Sequence, residues 1–462
     1  MVDWTPQLER NNGPLYLSLV RSLSADIRQG RLADGVRLPT HRDLARRLRV
    51  TVGTVTRAYL EARKRGLTRG EVGRGTFVVA GRPEGPPFGF AAAAPDSVVD
   101  LSMNFPPAVP ADAAALAAAL AHLQAHAAEL RLLDIQPHPG SARAREAGAE
   151  WMRRLRFPAD PAQVFVTSGS QHALLLSLAV LTRPGDTVLT EELCFPGLAA
   201  AAEFLRLRLR GLPMDELGLR PGGLAAAARE ERAAALYTVP TLQNPTTRVM
   251  PEARRSQIAA LAAELGLTII EDDPYTPLLE SAPAPLSAAA PERHFYIAGA
   301  TKVLAGGLRV AWLHAPRAFH QALCDAVRAS VFHAPALSAE IAALWVRDGT
   351  AAALAAARRE EAAARQAIAA RWLGTRRESR PEALHLWLPL AAEWQGGALC
   401  AAARARGVAV TPAEAFYAGR GRPPQAVRVC LGPPREHAGL ERGLRALAEL
   451  LHSAPQGWKG VY

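Results

Sequence analysis

The stretch from Gly299 to Arg309 contains the residue whose type most clearly suggests chemistry. Lysine occurs at only three positions, Lys64, Lys302 and Lys459. All the remaining residues among the 54 lysines and arginines are arginine. A lysine amine condenses with an aldehyde, which a guanidinium does not, and its pKa shifts readily on burial. Lys302 is therefore predicted to be a reactive amine in an apolar, glycine-rich turn. The alternative is a lysine that stands in a loop without a chemical role.

Further polar residues follow the apolar runs that the pattern predicts as strands. Residues 168–171 open a predicted helix whose free N–H groups form an anion site, although an ordinary helix cap looks the same. Asp272 ends a very apolar strand, where a buried carboxylate is costly unless it meets a cation; a cap or a surface acid is the alternative. An anion site, a buried acid, a phenol, an amide and an amine match the functional groups of pyridoxal 5′-phosphate (PLP). The members of this set are Ser170, Gln171, Asn244, Asp272, Tyr275, Lys302 and Arg309.

In order and spacing, these residues resemble those of the fold-type I (aspartate aminotransferase-like) enzymes over about residues 100–452. The resemblance implies that Lys302 forms the internal Schiff base and that Asp272 pairs with the pyridinium nitrogen. It also implies that Asn244 and Tyr275 hydrogen-bond the ring hydroxyl, and that Phe195, in Cys-Phe-Pro-Gly, stacks on the ring.

The same resemblance implies partners for two anionic groups. Arg428, in Val-Arg-Val, would hold the carboxylate of an amino-acid ligand through a bidentate fork. The cofactor phosphate would be bound by Ser170, Gln171 and Arg309.

Four positions depart from the family pattern. Gly299 stands where a serine phosphate donor is common, and Ile135 where a tyrosine reaches the neighbouring subunit's phosphate. Thr247 and Ala311 replace glycines. Since a charge-assisted hydrogen bond contributes roughly 1.5–3 kcal/mol, the first two changes predict weaker cofactor binding than in a dedicated aminotransferase.

Length and composition limit the elements that can position these residues. A chain of 462 residues suits two or three domains, and no run of some 18 uncharged apolar residues predicts a membrane span. The first 17 residues do not have the pattern of a signal peptide. The four cysteines are scattered without a CxxC pair, which favours a reducing cytoplasm and predicts no metal site.

From residue 100 onward, apolar strand-like runs alternate with helical stretches. Among the predicted strands are residues 164–167, 187–190, 234–239, 267–271, 294–297 and 308–314. This alternation predicts an α/β sheet with helices on both faces and a ligand at the carboxyl ends of its strands. Predicted strands near 383–388, 408–411 and 427–431 indicate a smaller α+β lobe. The predicted lobes comprise about residues 100–345 and 346–462.

The first 80 residues carry a different pattern and most of the net charge. They hold a formal charge of +8 of the chain's +11, which makes them a candidate for binding a polyanion rather than only a solvated basic face. Their order of helix, short helix, turn, helix and hairpin predicts a winged helix-turn-helix whose third helix enters the major groove. The predicted DNA contacts from the start of that helix and from the wing are Thr51, Gly53, Thr54, Thr56, Arg57 and Arg74.

Residues 38–78 resemble the GntR family of bacterial regulators. The signature positions recur in order, from Leu38-Pro39 and Arg42 through Tyr59 to Gly75-Thr-Phe-Val. The resemblance implies that Arg42 contacts DNA and that a non-binding remnant is the weaker interpretation. Val52 stands where the family commonly has Arg or Lys, so the operator sequence does not carry over from relatives.

Between the two parts, residues 81–99 are rich in Pro, Gly and Ala and are predicted to form a linker. A GntR-like head (1–80) on an aminotransferase-like body (100–462) resembles the MocR/GabR-type regulators. The predicted fold is thus a winged helix-turn-helix plus an α/β PLP-dependent transferase domain of aminotransferase fold type I with a smaller lobe.

The resemblance implies a cytoplasmic bacterial transcription factor that binds promoter DNA, PLP and an amine or amino-acid effector. It also implies a homodimer without membrane association. Two other interpretations remain open. The chain can be an amino-acid aminotransferase with a vestigial head, or a regulator that has lost PLP, which Gly299 and Ile135 support.

Overall fold

The computed structural model describes residues 4–6, 15–28, 32, 35–64, 67–71, 75–78 and 98–453. The chain divides into two compact units, one within residues 1–90 and the other within residues 91–462. No helix in the described ranges is both long and apolar enough to cross a membrane.

Three helices and a hairpin form the N-terminal unit. These are α1 (Leu15–Arg28), α2 (His41–Leu48), α3 (Val52–Lys64), β1 (Thr68–Glu71) and β2 (Gly75–Val78). Thr40 caps α2, because its hydroxyl accepts a hydrogen bond from the Asp43 N–H at 3.2 Å. Leu44, Val55 and Tyr59 lie in the core of this unit, and the Tyr59 hydroxyl donates to the Pro39 carbonyl at 3.0 Å. The predicted winged helix-turn-helix is thus confirmed in its element order.

Strands and helices alternate through most of the second unit. Its strands are β3 (Val99–Asp100), β4 (Val164–Thr167), β5 (Thr187–Glu191), β6 (Arg208–Leu212), β7 (Met214–Asp215), β8 (Gly218–Leu219), β9 (Ala233–Thr238), β10 (Thr268–Asp273), β11 (Phe295–Gly299), β12 (Ala311–His314), β13 (His385–Pro389), β14 (Val408–Ala409), β15 (Thr411–Pro412) and β16 (Ala426–Cys430). Its helices are α4 (Ala111–Ala125), α5 (Ala127–Leu130), α6 (Ala142–Arg154), α7 (Ser170–Leu181), α8 (Pro196–Phe204), α9 (Pro221–Glu230), α10 (Glu252–Glu264), α11 (His320–Ser330), α12 (Ala336–Arg347), α13 (Thr350–Leu373), α14 (Gly396–Ala405) and α15 (His437–His452).

Seven strands form one mixed sheet in the order β4-β12-β11-β10-β9-β5-β6. The strands from β11 to β6 pair in parallel, and β12 is antiparallel to both of its neighbours, so β4 has the same direction as β11. The carboxyl ends of β4, β5, β9, β10 and β11 consequently meet at one edge. β12 begins at that edge, which brings the loop before it to the same place.

One predicted strand has the wrong boundary. The run 308–314 was predicted to be extended, but residues 306–308 form a 3₁₀ turn and Arg309 has a φ of +52°. The strand begins only at Ala311. Arg309 therefore lies in the loop beside the sheet edge rather than inside a strand.

The smaller lobe is built on β13, β16 and β15, with α13, α14 and α15 packed on it. Its core also includes Leu101, because β3 pairs in parallel with β14. The first described residues after the predicted linker are therefore part of this lobe. From there the chain continues through Ser102 and Asn104 towards the edge of the large sheet.

Candidate functional site

The polar residues predicted from strand ends meet at the carboxyl edge of the seven-stranded sheet. Each lies on a different connection: residues 168–171 follow β4, 194–197 follow β5, 243–245 follow β9, 272–275 end β10, and 300–309 follow β11. A parallel sheet brings such connections together because all its strands end on one side. Arg428 reaches the same edge from β16 of the smaller lobe, through a contact with Asn244.

The Lys302 amine lies at this edge, on the connection after β11. Nζ donates a hydrogen bond to the main-chain carbonyl of Asn104 and lies 5.9 Å from the centre of the Phe105 ring. Burial lowers the pKa of Lys302 from 10.5 to about 8, with Arg428 and Arg309 acting in the same direction. A larger fraction of the amine is therefore neutral near physiological pH than for an ordinary lysine, which favours its reaction as a nucleophile.

Asp272 ends β10 as a buried carboxyl group. Its Oδ2 accepts a hydrogen bond from the Tyr237 hydroxyl at 2.9 Å, whereas Oδ1 has no hydrogen-bond partner among the described residues. Burial raises the pKa of Asp272 to about 7, against the opposing effects of the Tyr237 hydrogen bond and of Lys302. A buried acceptor without a partner is unfavourable, so Oδ1 is suited to a ligand that brings a proton or a positive charge.

The turn between β4 and α7 leads into the first turn of that helix, where the His172 and Ala173 N–H groups donate to the Gly169 carbonyl at 3.0 and 3.1 Å. Gly169 has a φ of +88°, and a Cβ there would lie 2.7 Å from the Arg309 guanidinium. Glycine thus allows Arg309, which is exposed, to pack directly over the N-terminus of α7. The positive end of the helix and this guanidinium together favour an anion.

Close packing explains why residue 299 is a glycine. A Cβ at position 299 would lie 2.6 Å from the Ser170 hydroxyl and 3.1 Å from the Pro274 side chain. The hydroxyl of Ser170 therefore occupies the space beside residue 299 that a side chain there would need. The neighbouring Gln171 is held in place because its Nε2 donates to the Gly197 carbonyl at 2.9 Å, in the first turn of α8 after Phe195.

Arg428 is a buried cation without an acidic partner among the described ion pairs. Nη1 donates to Asn244 Oδ1 at 2.8 Å, Nη2 donates to the Ser102 carbonyl at 2.6 Å, and Nε has no described partner. The guanidinium lies 4.6 Å from the centre of the Phe416 ring. A buried guanidinium whose described hydrogen-bond acceptors are uncharged is suited to bind a carboxylate.

Tyr275 is oriented by residues that the sequence did not single out. Asn104 Nδ2 donates to the Tyr275 hydroxyl at 2.8 Å and lies 3.1 Å from His385 Nδ1. Burial lowers the pKa of His385 to about 3, so this ring is neutral and accepts at Nδ1. Asn104 and His385 are 281 residues apart. The one sequence signal for Asn104 is a lone amide between a short strand and two prolines.

The residues predicted to contact DNA lie around the start of α3 and on α2. Arg42, Thr51, Gly53 and Arg57 are exposed, and Thr54 and Thr56 are partly buried. Local contacts use several of these groups: the Thr51 and Thr54 hydroxyls share a hydrogen bond at 2.9 Å, Thr56 Oγ1 lies 3.1 Å from His41 Nδ1, and the Arg57 guanidinium lies 4.3 Å from the Tyr16 ring centre. Arg74 lies outside the described residues.

Comparison with known proteins agrees with both parts of this description. The aminotransferase class I and II family model matches residues 96–447, and the model for bacterial regulatory proteins of the gntR family matches residues 15–78. The chain is 28% identical over 455 residues to the HTH-type transcriptional regulator YdeF of Bacillus subtilis, covering 97% of each chain. It is 30% identical over 377 residues to the regulator YisV of the same organism, covering 75% of this chain and 76% of YisV.

Among solved structures, the alpha-aminoadipate aminotransferase LysN of Thermus thermophilus is similar to this chain. That structure is complexed with N-(5′-phosphopyridoxyl)-L-leucine and matches with a TM-score of 0.69 and 27% identity, over 77% of this chain and 92% of LysN. The match confirms the predicted fold-type I architecture of the second unit. With an aminotransferase class I and II domain joined to a GntR-type helix-turn-helix domain, the chain belongs to the MocR/GabR-type transcriptional regulators.

Proposed function

We propose that this chain is a cytoplasmic, PLP-dependent transcriptional regulator that binds promoter DNA and senses an amine or amino acid. The observation that carries the proposal is the combination of an amine, Lys302, with a buried carboxyl oxygen, Asp272 Oδ1, at one sheet edge. That oxygen has no hydrogen-bond partner within the described part of the chain. A purely structural role leaves that oxygen unexplained, whereas a protonated ring nitrogen supplies the missing partner.

The site residues fit the groups of PLP one by one. When bound, PLP supplies an aldehyde that reacts with amines and a ring that withdraws electrons. Lys302 provides the amine that holds the aldehyde carbon, and Asp272 Oδ1 accepts from the ring nitrogen. Asn244 and Tyr275 bind the ring hydroxyl, and Phe195 covers the ring face.

The phosphate of PLP is assigned to the first turn of α7. Ser170 and Gln171 provide the hydroxyl and amide there, and Arg309 provides the charge. Because Ser170 occupies the space beside Gly299, we propose that one phosphate hydroxyl is supplied from α7 instead of from position 299. This removes one of the two reasons to expect weak cofactor binding.

Arg428 is the proposed anchor for the effector, which is therefore an amine that also carries a carboxylate. A bidentate carboxylate requires two N–H groups of the guanidinium, and one of them now donates to Ser102. The effector carboxylate thus competes with the Ser102 carbonyl for Arg428. In the same segment, the Asn104 carbonyl occupies the Lys302 amine, so ligand binding there competes with the main chain as well.

This competition suggests a route from the effector to the DNA. Residues 102–104 come just after β3, which begins at Val99, the last residue of the proposed linker (81–99). That linker joins the proposed DNA-binding domain (1–80) to the proposed effector domain (100–462). An effector that displaces Ser102 from Arg428 changes the segment to which the linker is attached. The two states then differ in effector affinity, which is the condition for coupling to DNA binding.

A homodimer is proposed from apolar side chains around the loop 131–138. Leu133 is 98% exposed, Ile135 76% and Phe332 47%, and His138 Nδ1 lies 2.8 Å from the Phe332 carbonyl, which links the two loops. Large exposed apolar side chains that cluster in this way are typical of an interaction surface. A second copy of the chain is the proposed occupant.

The DNA-binding part of the proposal is tested with Arg42→Ala. Footprinting and binding titrations on the promoter beside its own gene are expected to show weaker protection, because Arg42 is exposed on α2 and suited to a phosphate. Loss of one phosphate contact lowers the slope of log affinity against log salt by about 0.9. Arg328→Ala, which removes an exposed arginine of α11 in the other unit, is the control and should change neither quantity. If the wild type protects no DNA but rapidly converts amino acids with 2-oxoglutarate, the regulator proposal fails in favour of the aminotransferase.

The pH dependence of PLP attachment follows from the amine. Because the pKa of Lys302 is lowered to about 8, the neutral, nucleophilic form increases as the pH rises through that value. The rate of covalent attachment is therefore expected to rise between about pH 7 and pH 9 and to level off above that range. Stopped-flow absorbance with added PLP measures it. An attachment rate that continues to rise towards the ordinary lysine pKa of 10.5 would show that burial does not act on this amine.

A further inference from the structure

The neighbouring carboxyl groups of Asp272 and Asp273 at the end of β10 each accept a hydrogen bond from a tyrosine on an adjacent strand, one strand on either side. The Tyr237 hydroxyl on β9 donates to Asp272 Oδ2 at 2.9 Å, and the Tyr296 hydroxyl on β11 donates to Asp273 Oδ2 at 2.7 Å. Tyr237 pairs with Ile270 and Tyr296 pairs with Glu271, so each tyrosine lies two residues before its acid on the same face. Both tyrosines are fully buried.

The two pairs differ in the second carboxyl oxygen. Asp273 Oδ1 accepts the Thr276 N–H at 3.0 Å, which completes a structural turn after the strand. Asp272 Oδ1 has no hydrogen-bond partner among the described residues. Asp273 is therefore bonded at both oxygens, whereas Asp272 has one oxygen without a partner among the described residues.

The Tyr237 hydroxyl stays protonated and donates its hydrogen bond to Asp272 rather than to the other nearby acid. Burial and the nearby Asp272 raise the pKa of Tyr237 well above its ordinary value, so it stays protonated. Glu191 on β5 also lies near Tyr237, but its carboxyl group is bonded by the Thr238 hydroxyl and by the Val239 N–H at 3.3 Å. The remaining groups that act on the ionisation of this pair are Asp273, Lys302 and Cys194.

We infer that Tyr237 is a positioning residue for the cofactor: its hydroxyl fixes the Asp272 carboxyl group so that Oδ1 alone faces the ring nitrogen. This rests on the proposed function, because it assigns a residue behind the proposed PLP site. A carboxyl group that accepts one hydrogen bond at Oδ2 does not rotate freely, so Oδ1 keeps one orientation. The hydrogen bond also favours the ionised form of Asp272, which burial disfavours.

The test compares Tyr237→Phe with Tyr296→Phe in the full chain. Each variant removes one buried phenol–carboxyl hydrogen bond next to β10, so the two should lose similar stability in thermal melting. Dissociation constants of the apo protein are measured for PLP and for an analogue in which C–H replaces the ring nitrogen. Tyr237→Phe is expected to weaken PLP binding roughly tenfold while changing analogue binding less than about twofold. Tyr296→Phe should change the ratio of the two constants by less than about twofold.

A fluorinated tyrosine incorporated at position 237 keeps both the ring and the donor, and it is expected to retain PLP affinity even if Tyr237→Phe folds poorly. Equal weakening of PLP and analogue by Tyr237→Phe would overturn the inference, because it would indicate general loosening of the site. So would unchanged PLP binding in that variant. If the wild-type chain binds neither compound, the proposed function itself fails, which separates that result from a failure of Tyr237 alone.

Discussion

Lys302→Ala is expected to abolish covalent retention of PLP and, with it, the response of DNA binding to amino acids. In the wild type the lowered pKa of Lys302, about 8, increases the neutral form of the amine, which reacts with the aldehyde. Alanine leaves only the contacts to the ring and phosphate, so the dissociation constant should rise roughly 100-fold. The measurements are the visible absorbance of bound PLP and the mass of the protein after borohydride reduction.

The small number of lysines makes this experiment unusually clear. Lys64 and Lys459 are the other lysines, and with the terminal α-amine they complete the amines that compete for labelling, so peptide mapping after reduction assigns the attachment site directly. Lys302→Arg keeps a positive charge but cannot condense with the aldehyde, and it should behave like the alanine variant. Retention of covalent label in either variant, or effector-dependent footprints without PLP, would instead support a regulator that does not use the cofactor.

Much of the site was predictable because it depends on where strands end. Asp272, Asn244 and Lys302 each follow an apolar run, and a parallel sheet brings such residues together whatever the intervening loops. The prediction for Lys302 rests on the rarity of lysine among the basic residues. The structure places Lys302 at the sheet edge with the other predicted residues. The roles of the individual side chains remain predictions.

The residues behind the site were not predictable by the same reasoning. Tyr237 reaches Asp272 diagonally across two strands that are 35 positions apart in sequence, and in its own strand it looks like an ordinary core aromatic. Asn104 reaches Tyr275 across 171 positions. Gly299 appeared to be a lost phosphate donor, whereas its missing side chain leaves room for the hydroxyl of Ser170. Each of these depends on register and close packing, which sequence patterns do not encode.

Arg428→Lys is expected to remove recognition of the effector carboxylate while leaving PLP bound. Lysine keeps the charge but lacks the planar fork, and the structure gives Arg428 contacts to both Asn244 and Ser102 that a single amine cannot reproduce. Breaking a buried, hydrogen-bonded charge pair costs about 2–5 kcal/mol, which predicts a loss of amino-acid affinity of roughly 30- to several thousand-fold. The change in absorbance of bound PLP on titration with amino acids measures this loss.

The Arg428→Lys experiment has two controls, one ligand without a carboxylate and one variant of another buried arginine. Each amino acid is tested beside the amine that remains when its carboxylate is removed, and binding of that amine should be nearly unchanged in Arg428→Lys because it has no group for the fork. Arg365 is equally buried, but it pairs with Glu361 and donates to main-chain carbonyls at positions 431 and 434. Arg365→Lys should therefore lower stability without discriminating between the two ligands. If Arg428→Lys weakens the amine as much as the amino acid, Arg428 acts only through Asn244 and the cofactor, and the effector carboxylate must bind elsewhere.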